Sequence, residues 1–297
     1  MKSLSLRTAA LIGAVVPAAL LLSGTAAAGP AAVDSQAAVV REVDKTGWYG
    51  GFAITVDEVS AKEADSGTTK VEVKLGYENL IGATLAPPEK AYLEVDGGEV
   101  VDLRLDSKKI AGYGKGKGTA TGSLDTTEGS IDDVLDDVVL VYGKTDGNLT
   151  KIPFASKEKV ESIEPKGITV GQTIGGHPVA VTLSKAFLWP SYQPGEKGKY
   201  ELWVETDLAL SSEYNGYGYN VSPKNFSVTS PSGESDSADK RSSFTSELLS
   251  NGGSIEGEWL VFLIDGPAKG DYSFDVDMNS TPTSDKSKVD LTTTIAL

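Results

Sequence analysis

The stretch Thr69-Lys-Val-Glu-Val-Lys-Leu-Gly-Tyr-Glu78 alternates without a fault, with Val71, Val73, Leu75 and Tyr77 on one face and Lys70, Glu72, Lys74 and Glu78 on the other. A period of two with a charged outer face predicts a half-buried antiparallel strand. Upstream, Phe52, Ile54 and Val56 alternate in the same way with Ala53, Thr55 and Asp57. Turn clusters separate such runs, among them Asp96-Gly97-Gly98, Asp146-Gly147-Asn148 and Ser230-Pro231-Ser232-Gly233. No segment sustains a helical period, and Ile131 to Leu135 has room for a short turn of helix at most. The pattern predicts an all-β chain.

The order of elements then repeats. Phe52-Ala-Ile-Thr-Val56 is echoed by Val179-Ala-Val-Thr-Leu183, and Lys70-Val-Glu-Val-Lys-Leu75 by Lys199-Tyr-Glu-Leu-Trp-Val204. Late in each half a Gly-containing run leads into a further strand, Gly118-Thr-Ala-Thr-Gly-Ser-Leu124 and Gly253-Ser-Ile-Glu-Gly-Glu-Trp-Leu-Val-Phe262. A tandem duplication is expected: a first antiparallel sandwich over 41–155, a charged linker over 156–166 closed by Pro165, and a second sandwich over 167–297. The expected cores contain Phe52, Ile54, Val56, Val71, Val73 and Leu75, then Val179, Val181, Leu183, Leu202 and Val204.

An apolar strand near the start, an alternating strand of the Lys-Tyr-Glu-Leu-Trp-Val type and Gly253-Ser-Ile-Glu-Gly-Glu-Trp-Leu-Val-Phe262 together resemble the telokin-like, immunoglobulin-related extracellular domains of secreted and lipoprotein Gram-positive antigens. Most of that family has no assigned function. The second half matches better, because Gly118 to Asp125 lacks the Trp-Leu-Val-Phe run. The resemblance implies two tandem immunoglobulin-like β-sandwiches in an extracellular setting and carries over no catalytic residue.

The N-terminus agrees with that setting. Lys2 and Arg7 precede an apolar run from Ala9 to Leu22, followed by small residues up to Ala26 and Ala28. This order predicts a signal peptide over 1–28, with a polar, Ala-rich lead over 29–40. The apolar run is shorter than the roughly 20 residues a membrane helix needs. No later stretch is apolar enough to span, so a secreted or loosely wall-associated protein is expected, without a membrane span after cleavage. Loss of two bases leaves 25 against 42 acids, and such a surface repels a phosphate backbone, so nucleic acid is not an expected partner. With no Cys, thiol nucleophiles, disulfides and thiolate metal sites are excluded.

Candidate chemistry is sparse. The lone His177 lies in Gly175-Gly-His-Pro178 without a Gly-x-Ser-x-Gly elbow or other ligands nearby, and reads as a turn histidine. Asp275-Val-Asp277-Met-Asn279 opens like a calcium loop, but Ser280 and Lys286 stand where Gly and Glu are needed, and a strand with Tyr272, Phe274, Val276 and Met278 facing inward accounts for it. Asp125, Glu128, Asp132, Asp133, Asp136 and Asp137 crowd together without ligand spacing and read as a solvated surface, with calcium as the sharper alternative. Gly112-Tyr-Gly-Lys-Gly-Lys-Gly118 misses the phosphate-loop pattern and is expected as an open connection between strands.

The aromatic residues carry the best-motivated site. Tyr214, Tyr217 and Tyr219 share one loop, and Trp203 is in phase with Glu201 and Glu205 on the predicted outer face. Rings with polar tips suit recognition of sugars and proteins, whereas packing on their own domain or its neighbour is the plainer reading. The expected function is non-catalytic binding of an extracellular protein or a cell-wall or carbohydrate ligand, with no cofactor and no metal. One alternative is a carbohydrate-binding accessory protein using these four residues. A second is a hydrolase built on two carboxylates distant in sequence.

Overall fold

The structure, a computed structural model, describes residues 38–65, 67–95, 98–125, 130–243, 245–266, 269–278 and 289–297. The expected signal peptide and most of the lead lie outside these residues, as do Glu128, Asn279, Ser280 and Lys286. The described residues belong to one compact unit, Gln36–Leu297. Every sheet is antiparallel, and no described helix is long and apolar enough to cross a membrane.

The first half contains β1 (Val39–Tyr49), β2 (Phe52–Asp65), β3 (Thr68–Asn79), β4 (Ala91–Val95), β5 (Glu99–Ser107), β6 (Lys115–Asp125), the helix α1 (Ile131–Asp136), β7 (Val138–Tyr142) and β8 (Thr150–Pro153). Its strands form one eight-stranded sheet in the order β1-β2-β3-β6-β5-β4-β7-β8, not the two packed sheets expected over 41–155. The sheet curls until its ends meet. Thr150 Oγ1 donates to the Trp48 carbonyl across the seam, and Lys45 Nζ donates to the carbonyls of Pro153, Ala155 and Glu158. Gly47 permits the approach, since a Cβ there would stand 2.8 Å from Thr150 Cγ2. One curled sheet encloses its own core, so no second sheet is needed. Phe52, Ile54, Val56, Val71, Val73 and Leu75 all line that core, each at most 2% exposed.

In the second half, β9 (Lys166–Ile168), β10 (Thr173–Gly175), β11 (Val179–Pro190), β12 (Lys199–Leu210) and a later strand, β17 (Ser254–Asp265), make one sheet. Between them run β13 (Gly218–Val221), a 3-10 turn, β14 (Phe226–Thr229), β15 (Ser235–Ser237), β16 (Glu247–Ser250) and β17 (Ser254–Asp265). The chain ends with β18 (Asp271–Asp277) and β19 (Asp290–Ala296). A second sheet has the order β15-β14-β18-β19, and β13 pairs with β16 in a separate two-stranded ribbon. Val181, Leu202, Leu260 and Phe262 from the first sheet share one core with Phe226, Val228, Phe274 and Val276 from the second, a sandwich-like arrangement.

The sequence repeat has a structural counterpart. β2, β3 and β6 are consecutive neighbours in one half, as β11, β12 and β17 are in the other. In both, the register slips one residue after the echoed run, between Val56 and Glu58 and between Leu183 and Lys185. The segment expected as the linker, 156–166, is tied to the first half: Lys151 and Glu161 exchange main-chain hydrogen bonds, and Ser162 Oγ accepts from the Trp48 amide. The Gly112–Gly118 run is likewise no open loop, because β6 begins at Lys115. A Cβ on Gly112 would fall 1.7 Å from the Gly82 carbonyl oxygen, so this glycine serves a close backbone approach.

Candidate functional site

Trp203 does face away from its own core, yet it is only 9% exposed. On the same face of β11, β12 and β17 stand Phe187, Trp189 and Trp259, paired across the strands with Trp203, Glu201 and Glu205 respectively. Trp189 and Trp203 stack with ring centroids 5.2 Å apart, and Trp259 lies 6.4 Å from Trp203. The connection after β3 covers this patch: Ile81, fully buried, joins the tryptophans in one cluster, flanked by Ala83 and Leu85. The predicted outer face is therefore the joint between the halves. Each indole removes about 150–250 Å² from water, an upper bound of about 4–6 kcal/mol per ring.

Polar bonds fix the joint in register. Trp189 Nε1 and Trp203 Nε1 both donate to Glu201 Oε2, at 3.2 and 2.9 Å. Glu201 Oε1 accepts from Ser191 Oγ at 3.0 Å and from Arg241 Nη1 at 2.7 Å. Arg241 also binds Glu196 and Asp239 at 2.9 and 2.7 Å. Burial opposes the Arg241 charge, but bonds to Asp239 and Glu196 and the Glu201 charge hold its pKa above normal. The Asp239 carboxyl is held below its usual range chiefly by the Arg241 bond. Burial works against the Glu196 charge, and bonds from Ser191 and Arg241 more than offset it, so its pKa is lowered. From the first half, Asn148 Nδ2 donates to the Ser191 carbonyl at 2.6 Å, and the Trp48 carbonyl accepts from Tyr192 Oη at 3.0 Å. At the far edge Lys185 Nζ donates to Tyr113 Oη at 2.9 Å and lies 3.3 Å from Glu205 Oε2.

Of the expected aromatic site, Tyr214 and Tyr219 are 4% and 1% exposed and pack on each other with centroids 5.2 Å apart. Tyr217 alone stands out, 95% exposed at the entry to β13. Both flanking glycines are needed. A Cβ on Gly216 would strike the Tyr214 ring at 2.6 Å, and one on Gly218, where φ is +136°, would meet the Leu249 carbonyl at 2.2 Å. Buried tyrosines on either side thus anchor a ring that the backbone turns outward. Leu248, 59% exposed, lies on the partner strand opposite Asn220.

Several of the remaining candidates are engaged within the fold. His177 is exposed in the turn before β11. Tyr272, Phe274, Val276 and Met278 are buried as the strand reading requires, and Asp275 accepts from Ser273 and Thr292 hydroxyls at 2.9 and 2.7 Å. Asp132 and Asp136 grip Arg41 of β1 at 2.7 and 2.6 Å, and Asp133 accepts from Ser130 Oγ, which caps α1. Among the described residues no group of three metal-ligating side chains is placed to hold an ion.

No protein-family model matches the chain, and no curated protein matches it. A solved structure described as a conserved domain protein from Bacillus anthracis is similar with a TM-score of 0.28 and 11% identity, covering 87% of this chain and 90% of that one.

Proposed function

We propose that the chain is an exported, non-catalytic interaction protein that presents Tyr217 to its ligand at or near the cell wall. The observation that carries this reading is the Tyr217 ring itself, 95% exposed between two glycines that no larger residue can replace without displacing Tyr214 or Leu249. Exposed tyrosines on rigid supports are favoured contact residues, because little side-chain entropy is lost on binding. Glu196, Glu201 and Asp239 at the joint are engaged by Arg241, and Asp132 and Asp136 at α1 by Arg41, which supports a reading without acid–base chemistry. Export rests on the basic, apolar and small-residue order of residues 1–28.

The same proposal includes the fold relationship. The second half is an immunoglobulin-like sandwich, supported by its two antiparallel sheets around one core. The first is a divergent copy whose sheet has closed on itself, supported by the repeated three-strand unit and bulge. Sugar stacking, expected from four aromatic residues, now rests on Tyr217. The test is co-sedimentation of the purified full chain with isolated Gram-positive walls, with and without EDTA. Wild-type protein is expected in the pellet in both conditions and Tyr217→Ala in the supernatant, whereas equal pelleting of the two would overturn the reading.

A further inference from the structure

We propose that Asn215-Gly216, the step leading into Tyr217, is a site of spontaneous modification, at which the Asn215 carboxamide of the folded protein is converted to aspartate or isoaspartate. In its link to ligand binding the inference rests on Tyr217 being a contact residue, and it names a regulation of that site. The chain contains two Asn-Gly steps, Asn215-Gly216 and Asn251-Gly252, and the fold treats them differently. Asn215 is exposed, and among the described residues neither its side chain nor the Gly216 amide has a hydrogen-bond partner. Asn251 Nδ2 instead donates to the Tyr214 carbonyl at 2.7 Å. One carboxamide is free to swing onto the main chain that follows it, and the other is held against a neighbouring turn.

The reaction needs no enzyme, metal or oxidant. The Gly216 nitrogen loses its proton to hydroxide and attacks Asn215 Cγ. A C–N bond forms, a proton returns to the departing NH2 group, and ammonia leaves a cyclic imide. Gly216 suits the attack because no side chain crowds its nitrogen. Water then opens the ring, giving aspartate where the new N–Cγ bond breaks and isoaspartate where the original peptide bond breaks. Either product alters the mount of Tyr217. Both add a carboxylate to the segment 211–222, which contains Glu213 and no base. Isoaspartate also lengthens the main chain by a methylene just before Gly216, whose backbone lies so close to the Tyr214 ring that a Cβ there would stand 2.6 Å from it. Tyr214 is 4% exposed and packed on Tyr219, so the added length is taken up on the outer side, where Tyr217 sits.

Peptide mapping by mass spectrometry of the purified full chain, aged in mildly alkaline buffer both folded and in urea, tests the assignment. In the folded chain, exchange of NH2 for OH at Asn215 is expected to run about fivefold or more ahead of Asn251, the factor set by one hydrogen bond that must break first. It slows in acid, because the attacking nitrogen must lose its proton. In urea the two sites react at similar rates. Asn215 intact in the folded chain once the urea sample has reacted, or equal rates at the two sites when folded, overturns the proposal. Aged wild-type protein is expected to lose wall pelleting in proportion to the modification, whereas aged Asn215→Ser, which has no carboxamide, keeps it. If Asn215 is modified and pelleting stays at its fresh level, the link to Tyr217 is overturned while the functional reading stands. If fresh wild type and Tyr217→Ala pellet equally, the functional reading fails while the modification site stands on its mass.

Discussion

Trp189 and Trp203 stack at an interplanar angle of 28° while both donate their indole N–H groups to the same oxygen of Glu201. One carboxylate thereby sets the orientation of two rings, and those rings receive Ile81 from the other half. The joint is hydrophobic in energy and polar in registry. That division makes distinct predictions for its apolar and its charged members.

Trp203→Ala empties the centre of the cluster and is expected to cost about 3–5 kcal/mol, the usual range for a buried aromatic truncation. The denaturant midpoint should fall with the far-UV spectrum of the folded state unchanged. A loss under about 1 kcal/mol would mean that the halves hold together without it.

Glu201→Leu keeps the volume but leaves two indole N–H groups, Ser191 and Arg241 short of their acceptor. Breaking a buried pair from one side costs about 3–5 kcal/mol. Removing the remaining charges with it, as Glu201→Leu with Arg241→Met, Glu196→Gln and Asp239→Asn, is expected to recover part of the loss, because Arg241→Met alone would leave Glu196 and Asp239 without their partner. Chemical denaturation of both variants checks the order, and a quadruple variant no better than the single one would contradict it.

Acid acts on the same cluster. Glu196 and Asp239 have lowered pKa values in the folded chain, so their contribution is complete above about pH 5 and is lost as the pH falls below about 4. Wild-type stability should drop across that window more steeply than that of Arg241→Gln, in which the carboxylates have already lost their partner. Equal slopes would show that Arg241 is not the cause.

At the Tyr217 ribbon, presentation and stability separate. Gly216→Ala drives a methyl into the Tyr214 ring and is expected to cost about 1–3 kcal/mol. Tyr217→Ala, at a fully exposed position, should change stability by no more than about 0.5 kcal/mol. Thermal melts of the two variants decide this, and a large loss in Tyr217→Ala would place its ring in contact with the fold.

The alternation of β2 and β3 was legible because one face meets a core and the other meets water, and every core residue expected from it is buried. The curl of the first half was not, since the closing bonds of Lys45 and Thr150 go to main-chain carbonyls that leave no mark in residue pattern. The strand period places Trp203 on the face away from its own core, but it cannot tell a face covered by another half from one open to water. A signal was present in Phe187-Leu-Trp-Pro190 and in Trp259-Leu-Val-Phe-Leu-Ile264, which are apolar on both faces, as strands covered on both sides are. Of the three tyrosines expected in one loop, Tyr219 lies in β13, and the split into two anchors and one presented ring depends on Gly216 and Gly218 backbone geometry.

The most direct measurement of the central claim, that the tryptophans join the halves into one body, is urea unfolding of the full chain followed by tryptophan fluorescence and far-UV circular dichroism. Three of the chain's four tryptophans lie in the joint, so fluorescence reports its opening while dichroism reports the strands of both halves. The account predicts a single transition with coincident midpoints. A fluorescence change completed well before the loss of strand signal would show that the joint opens while the halves stay folded, and would contradict it.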